Sequence, residues 1–330
     1  MFRSHLEIIC KILNLGTIIT KPTPVAGGLL HEIWHITTNK GQYAAKVLNP
    51  KIMQRPGAIN RYETTEIIAR IFFEKGIPAI VSITHDNKSV IEVDGKFFIV
   101  YPWVSGFILD TNSTVKKMCS KIATLAAQMH QLTIQRPELK QYTWDLRPNS
   151  FFENLITKAT KKNIPIATTL SNMSSAIFAW NDNYHQAVAQ LNKHTLISHG
   201  DLDQKNVLWT HEGKPIIIDW ESARLINPTQ EIMCIALDWS GISSGHIDTE
   251  IFSSIIDAYK KAAGKINTDD IQASFDCIIG NWLNWMAYNI EQSSDNDTEK
   301  QEVSISHIEK TLELLVYLTP RVQEELIKLL

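Results

Sequence analysis

Between Leu196 and Glu221 the sequence gathers polar side chains in an order that has chemical meaning. His199-Gly200-Asp201-Leu202-Asp203-Gln204-Lys205-Asn206 reads H-x-D-x-x-x-x-N, and it is followed by an apolar run, Ile216-Ile217-Ile218, that ends in Asp219. Moving a phosphoryl group from a nucleotide to a hydroxyl asks little covalent chemistry of a protein. It requires a carboxylate to accept the hydroxyl proton, and oxygen ligands for Mg²⁺. Asp201, Asn206 and Asp219 are of those types. Glu212-Gly213 reads as the turn of a hairpin between Asn206–Trp209 and Ile216–Ile218, short enough to fold Asp219 back beside Asn206, so that one metal site draws on both. Turn chemistry alone also favours Asp, Asn and Gly. It does not account for five typed positions followed by a hydrophobic strand and an Asp.

The elements that must position these residues are unevenly distributed. After a short amphipathic N-terminal helix, Ile18–Leu48 reads as three β segments: one leading into Gly27-Gly28, one at Ile33–Thr37 and one at Tyr43–Leu48, the last two joined by Asn39-Lys40-Gly41. Ile67, Ile68, Ile71 and Phe72 recur at helical spacing in Arg61–Glu74, and Gly76-Ile77-Pro78 stops that helix. Ser89–Val93 and Lys96–Val100 flank Asp94-Gly95, a dipeptide suited to a type I′ turn. The expectation is a five-stranded sheet with one long helix. Past Tyr101-Pro102-Trp103-Val104-Ser105-Gly106 the pattern turns helical, as in Val115, Met118, Ile122, Leu125 and Met129, and stays so apart from the strand-and-turn island.

The island resembles the catalytic core of the aminoglycoside phosphotransferase and choline kinase superfamily, relatives of the protein kinases. The resemblance implies an α+β, protein-kinase-like two-lobed fold with a small β-rich N-lobe and a larger helical C-lobe. Residues 1–103 would form the nucleotide-binding lobe, with a hinge beginning near 101, and 104–330 the helical lobe with catalytic loop and acceptor site. By resemblance Asp201 is the catalytic base, and Asn206 and Asp219 hold Mg²⁺. Lys46 is the phosphate-facing lysine of the third strand. Its carboxylate partner is expected on the following helix at Glu66, twelve residues before Pro78, with Glu63 as the alternative. Gly27 and Gly28 resemble the short phosphate loop of small-molecule kinases, though a plain β-turn would use them equally well; relatives often carry Ser or Asn near His31. Tyr101 falls at the back of the nucleotide pocket. Pro102, which keeps a carbonyl, and Val104, which keeps an N–H, fall where a purine base is bound. ATP and GTP both stay open as donors.

For the acceptor, Trp239, Trp282, Trp285 and Tyr288 are either core residues or an aromatic lining, and with Asp238, Glu221 or Glu231 nearby a lining would suit a cationic amine. Glu231 stands where relatives often have an Asp that props the catalytic loop, and His130 reads as structural. The implied function is phosphorylation of a hydroxyl on a small, amine-bearing molecule. Aminoglycosides, choline-like amines, sugars and homoserine-like compounds are the acceptor classes, with a non-catalytic nucleotide-binding regulator as the alternative. Composition agrees. The 330 residues are 44% apolar and 20% charged with a net charge of −3, and no basic run suggests a nucleic-acid partner. Cys10, Cys119, Cys234 and Cys277 are scattered without a C-x-x-C pair, which fits a reducing cytoplasm. Arg3, Glu7 and Lys11 interrupt the N-terminal apolar pattern, so neither a signal peptide nor a membrane partner is expected. Oligomeric state is left open.

Overall fold

A computed structural model describes residues 2–25, 30–109, 116–134, 136, 139–293 and 298–330. Gly27, Gly28 and Val115 lie outside the described residues. The chain divides into two compact units, residues 1–109 with 205–223, and 110–204 with 224–330.

The first unit begins with helix α1 (Phe2–Ile12), then strands β1 (Thr23–Val25), β2 (Glu32–Thr38) and β3 (Gly41–Val47). A short helix α2 (Pro50–Met53) and the long α3 (Ala58–Glu74) precede β4 (Ile91–Val93) and β5 (Lys96–Pro102). The five strands form one antiparallel sheet in the order β1-β2-β3-β5-β4. Its register follows the alternation of side chains: Ile36, Ala45, Phe98 and Val100 join Leu6, Ile9 and Cys10 of α1 in one buried cluster, which is why an 11-residue helix this short is stable here. Asp94 and Gly95 both take positive φ, 49° and 74°, as a type I′ turn requires. The helix expected from Arg61 begins one turn earlier, because Gly57 at φ 76° breaks the preceding chain and lets Ala58 start it. The two-residue strand β6 (Phe107–Ile108), for which the sequence carries no alternation, closes this stretch.

The chain then builds most of the helical unit: α4 (Lys116–Gln131), α5 (Asn149–Lys161), α6 (Ala167–Asn172), α7 (Ser174–Leu191) and strand β7 (Leu196–Ser198). It returns to the first unit for β8 (Val207–Trp209) and β9 (Pro215–Ile217), a hairpin whose sheet order is β6-β8-β9. The amide of Ile80 bonds the Ile217 carbonyl at 2.8 Å, and Trp220 stacks on Phe72 of α3 with centroids 5.2 Å apart, so the hairpin is part of the first unit's fabric. The chain re-enters the helical unit through β10 (Arg224–Ile226), antiparallel to β7 with Arg224 opposite Ser198. Helices α8 (Pro228–Trp239), α9 (Thr249–Lys261), α10 (Ile271–Gln292), α11 (Thr298–Tyr317) and α12 (Pro320–Ile327) complete it. The buried face of α4 is rich in Ala123, Ala126 and Ala127, which lets α9 approach with Phe252, Ile255, Ile256 and Tyr259. Gly280 does the same for α10, since a Cβ there would run into the ring of Tyr184 on α7. No described helix is long and apolar enough to cross a membrane.

Candidate active site

Lys46 lies on β3 and is buried to 7% exposure, and its ammonium is paired with two carboxylates. Nζ donates to Asp219 Oδ1 at 2.7 Å and to Glu221 Oε2 at 2.9 Å. Burial works against the charge, the two carboxylates overcome it, and the ammonium is held above the usual lysine range. Asp219 reaches Lys46 from the end of β9. Its backbone sits at φ 59°, ψ 59°, a left-handed conformation that a short polar side chain tolerates, and buried Trp220 anchors the turn by donating from Nε1 to the Ile217 carbonyl at 3.2 Å. The hairpin places Asn206 next to it: the Ile218 amide donates to the Asn206 carbonyl at 2.9 Å. The Asp219 side chain is 40% exposed, with only Oδ1 engaged among the described residues. A partly exposed carboxylate and an amide side chain, carried on one short hairpin, are the oxygen-donor types that suit Mg²⁺. Asn206 and Asp219 would hold the ion, which when bound supplies charge neutralisation for the phosphates.

The expected Lys46–Glu66 pair is not formed, and here the structure corrects the sequence reading. Glu66 is buried on α3, but its Oε1 accepts the Tyr101 hydroxyl at 2.6 Å. Oε2 is sealed in without a well-formed hydrogen bond, the Ser82 hydroxyl beside it being turned to Ser89 at 2.9 Å. Burial raises the Glu66 carboxyl against the Tyr101 bond, and raises the Tyr101 phenol still more clearly. Glu63 is occupied elsewhere, accepting the amides of Ser89 and Val90 at 3.0 and 2.9 Å. Lys46 takes Glu221 instead. Burial alone would raise the Glu221 carboxyl, but the bond from His31 and the Lys46 ammonium bring it down to about 2. The sequence reading assigned no role to this contact. Nothing in a 190-residue separation signals that His31 and Glu221 meet.

Asp201 belongs to the second unit, on the loop after β7. Helix α8 pins that loop at three points: Glu231 Oε1 accepts the Gly200 amide at 2.6 Å, Trp239 Nε1 donates to the Leu202 carbonyl at 2.9 Å, and Gln204 donates to the Asp238 carbonyl at 2.7 Å. Gly200, at φ 77°, is held on its other side as well, its carbonyl accepting from Arg224 at 3.0 Å. The Asp201 amide donates to Nδ1 of the buried His199 at 3.3 Å. Behind Glu231, Oε2 lies 2.7 Å from His130 Nε2, and Tyr259 Oη lies 2.7 Å from His130 Nδ1. Burial opposes the Glu231 charge, but the bonds from His130 and the Gly200 amide prevail and hold the carboxyl at about 2. His130 is thus a strut.

A family model described as "Phosphotransferase enzyme family" matches residues 21–264. The chain belongs to that family. It is a phosphotransferase with an alcohol group as acceptor, a small-molecule kinase. Solved structures agree on the fold. The chain is similar to a spectinomycin phosphotransferase in complex with ADP and spectinomycin, at 14% identity and a TM-score of 0.71, covering 95% of this chain and 98% of that one. It is similar to an aminoglycoside phosphotransferase from Alicyclobacillus acidocaldarius at 14% identity and TM-score 0.62, covering 96% of each chain. It is also similar to a choline kinase from Cryptosporidium parvum at 14% identity and TM-score 0.59, covering 98% and 99%. No curated protein matches the sequence.

In this phosphotransferase Pro102 ends β5 opposite Tyr43. The bond from the Trp103 amide to the Gln42 carbonyl at 3.0 Å puts Pro102 at a non-hydrogen-bonded step of the ladder, so its missing N–H costs nothing and its carbonyl faces away from β3. Val104 follows, half-buried. Of the four aromatic residues weighed for the acceptor, Trp239 is core, and Trp282 is half-buried. Trp285 and Tyr288 are 47% and 50% exposed on α10, stacked at 5.6 Å with His307 of α11 edge-on to Trp285. Glu221 and Glu231 are committed to internal partners and so are unavailable to an acceptor cation.

Proposed function

We propose that this phosphotransferase moves the γ-phosphate of ATP or GTP, with Mg²⁺, to a hydroxyl of a small amine-bearing acceptor. The observation that carries the reading is the 2.7 Å contact of Lys46 with Asp219 at the end of the hairpin that also carries Asn206. A lysine for the phosphates and a hard oxygen set for the metal stand together in the first unit. Asp201 takes the hydroxyl proton as the acceptor oxygen bonds to the γ-phosphorus, and the bond to the β-phosphate oxygen breaks to release the nucleoside diphosphate. Pro102 and Val104 offer a carbonyl and an N–H to the base, and Gly27 and Gly28 let the backbone approach the phosphates. In this reading residues 1–103 form the nucleotide-binding lobe, and 104–330 supply Val104, the metal ligands Asn206 and Asp219, the catalytic base and the acceptor site, in the cytoplasm. The stacked Trp285–Tyr288 pair supports an amine, because aromatic faces attract cations.

The test is a nucleotide-consumption screen of the full chain with ATP and with GTP, against aminoglycosides, amino alcohols, amino acids and neutral sugars. Turnover with an amine-bearing alcohol is expected. Robust turnover of a neutral sugar, with none for any amine, overturns the acceptor assignment. Nucleotide binding with no acceptor found favours a regulator.

A further inference from the structure

The Lys46 ammonium has three N–H bonds. Two are committed, to Asp219 and Glu221, and the third has no partner among the described residues. Glu221 is the drier of the two carboxylates, its side chain 17% exposed against 40% for Asp219, so its attraction for Lys46 is the less screened. What fixes Glu221 is His31. The Asn49 amide donates to His31 Nδ1 at 3.0 Å, and since a backbone N–H can only donate, Nδ1 carries no proton and Nε2 does. That Nε2–H faces Glu221 Oε2 at 3.1 Å, with Tyr62 Oη of α3 2.9 Å from the same nitrogen. One buried imidazole thus ties the residues after β3, helix α3 and the turn after β9 together.

We propose that His31 is a positioning residue that holds Glu221, in place of Glu66, as the second carboxylate of Lys46, and so orients the lysine N–H left for a nucleotide phosphate. The proposal rests on Lys46 being the phosphate-facing group. The two ring nitrogens have separate tasks, and only a side chain with both an acceptor near the backbone and a donor further out performs both. Asn reproduces the near position and Gln the far one. His31→Gln therefore keeps a donor for Glu221, whereas His31→Asn keeps only the Asn49 contact.

Calorimetry of Mg·ADP binding to wild type, His31→Gln, His31→Asn, Glu221→Gln and Glu66→Gln tests this, with imidazole ¹⁵N spectra and thermal unfolding of the nucleotide-free proteins. Expected are the Nε2-protonated tautomer, a loss in affinity on the order of tenfold for Glu221→Gln, a loss at least about threefold smaller for Glu66→Gln, and affinity nearer wild type for His31→Gln than for His31→Asn. A purely structural His31 would lower the melting temperature without that ordering. An Nδ1-protonated ring, a larger loss for Glu66→Gln than for Glu221→Gln, or the reverse order of the His31 variants overturns the proposal. Should wild type bind neither Mg·ADP nor Mg·GDP, the nucleotide reading fails separately. The melting temperatures of His31→Asn, Glu221→Gln and the double variant then decide: non-additive losses support the contact, additive losses overturn it.

Discussion

Asp201 and Asp219 are both carboxylates, but different neighbours set different tasks for them. Asp219 shares Lys46 with Glu221 and turns an oxygen to solvent, so Asp219→Ala should abolish transfer and the metal dependence of nucleotide binding. Calorimetry giving the same Mg·nucleotide affinity as wild type would remove Asp219 from the metal site. Asp201 stands on a loop that α8 pins through the Gly200 amide, the Leu202 carbonyl and the Gln204 side chain. Asp201→Asn should fold and bind nucleotide as wild type does while transfer falls by roughly two to four orders of magnitude, the range for a lost general base; a wild-type rate with an acceptor from the screen sinks that role. The strand position of Lys46 and the adjacency of Asn206 and Asp219 were legible in the sequence, because a strand and a short hairpin encode them locally. The partner of Lys46 was not. Whether Glu66 faces Lys46 or Tyr101 depends on packing between α3 and β5, and Glu221 enters from 175 residues away.

Among the elements, α8 does most to shape the loop that carries Asp201. Asn227 caps it by accepting the amides of Thr229 and Gln230, Pro228 starts it, and Glu231, Asp238 and Trp239 then bond three successive parts of the loop. The aromatic periodicity of the helical half did not distinguish this strut, Trp239, from the exposed pair on α10, since a stripe of apolar residues reads the same whether it faces a loop or solvent. Because Glu231 is held at about 2 against an ordinary value of 4.5, it stabilises the fold fully above pH 4.5, and that stability is lost as pH falls from 4.5 toward 2. The contribution at neutral pH is about 3 kcal/mol. Urea unfolding from pH 6 down to pH 2 should therefore show a steeper loss for wild type than for Glu231→Gln. Parallel curves would mean that Glu231 is not ionised in the fold.

At the level of the whole molecule, the first unit is discontinuous: residues 205–223 join 1–109 after an intervening stretch of the helical unit. Residues 1–109 contain α1 and all five strands of the sheet, but they lack the Trp220 stacking partner of Phe72, the Ile217 carbonyl that takes the Ile80 amide, and both carboxylates of Lys46. A fragment of residues 1–109 should show strand content by circular dichroism and no Mg·ADP binding by calorimetry, whereas full-strength binding would place the nucleotide contacts wholly within it. On a ribosome this arrangement acts as a delay. The segment from 110 to 223 takes on the order of ten seconds to appear at typical synthesis rates, and throughout that interval Lys46 is without the two carboxylates that pair it in the complete unit. Chaperones and proteases meet the unit in that unfinished form, so codon-dependent pausing before residue 223 should lower the yield of folded protein more than pausing after it.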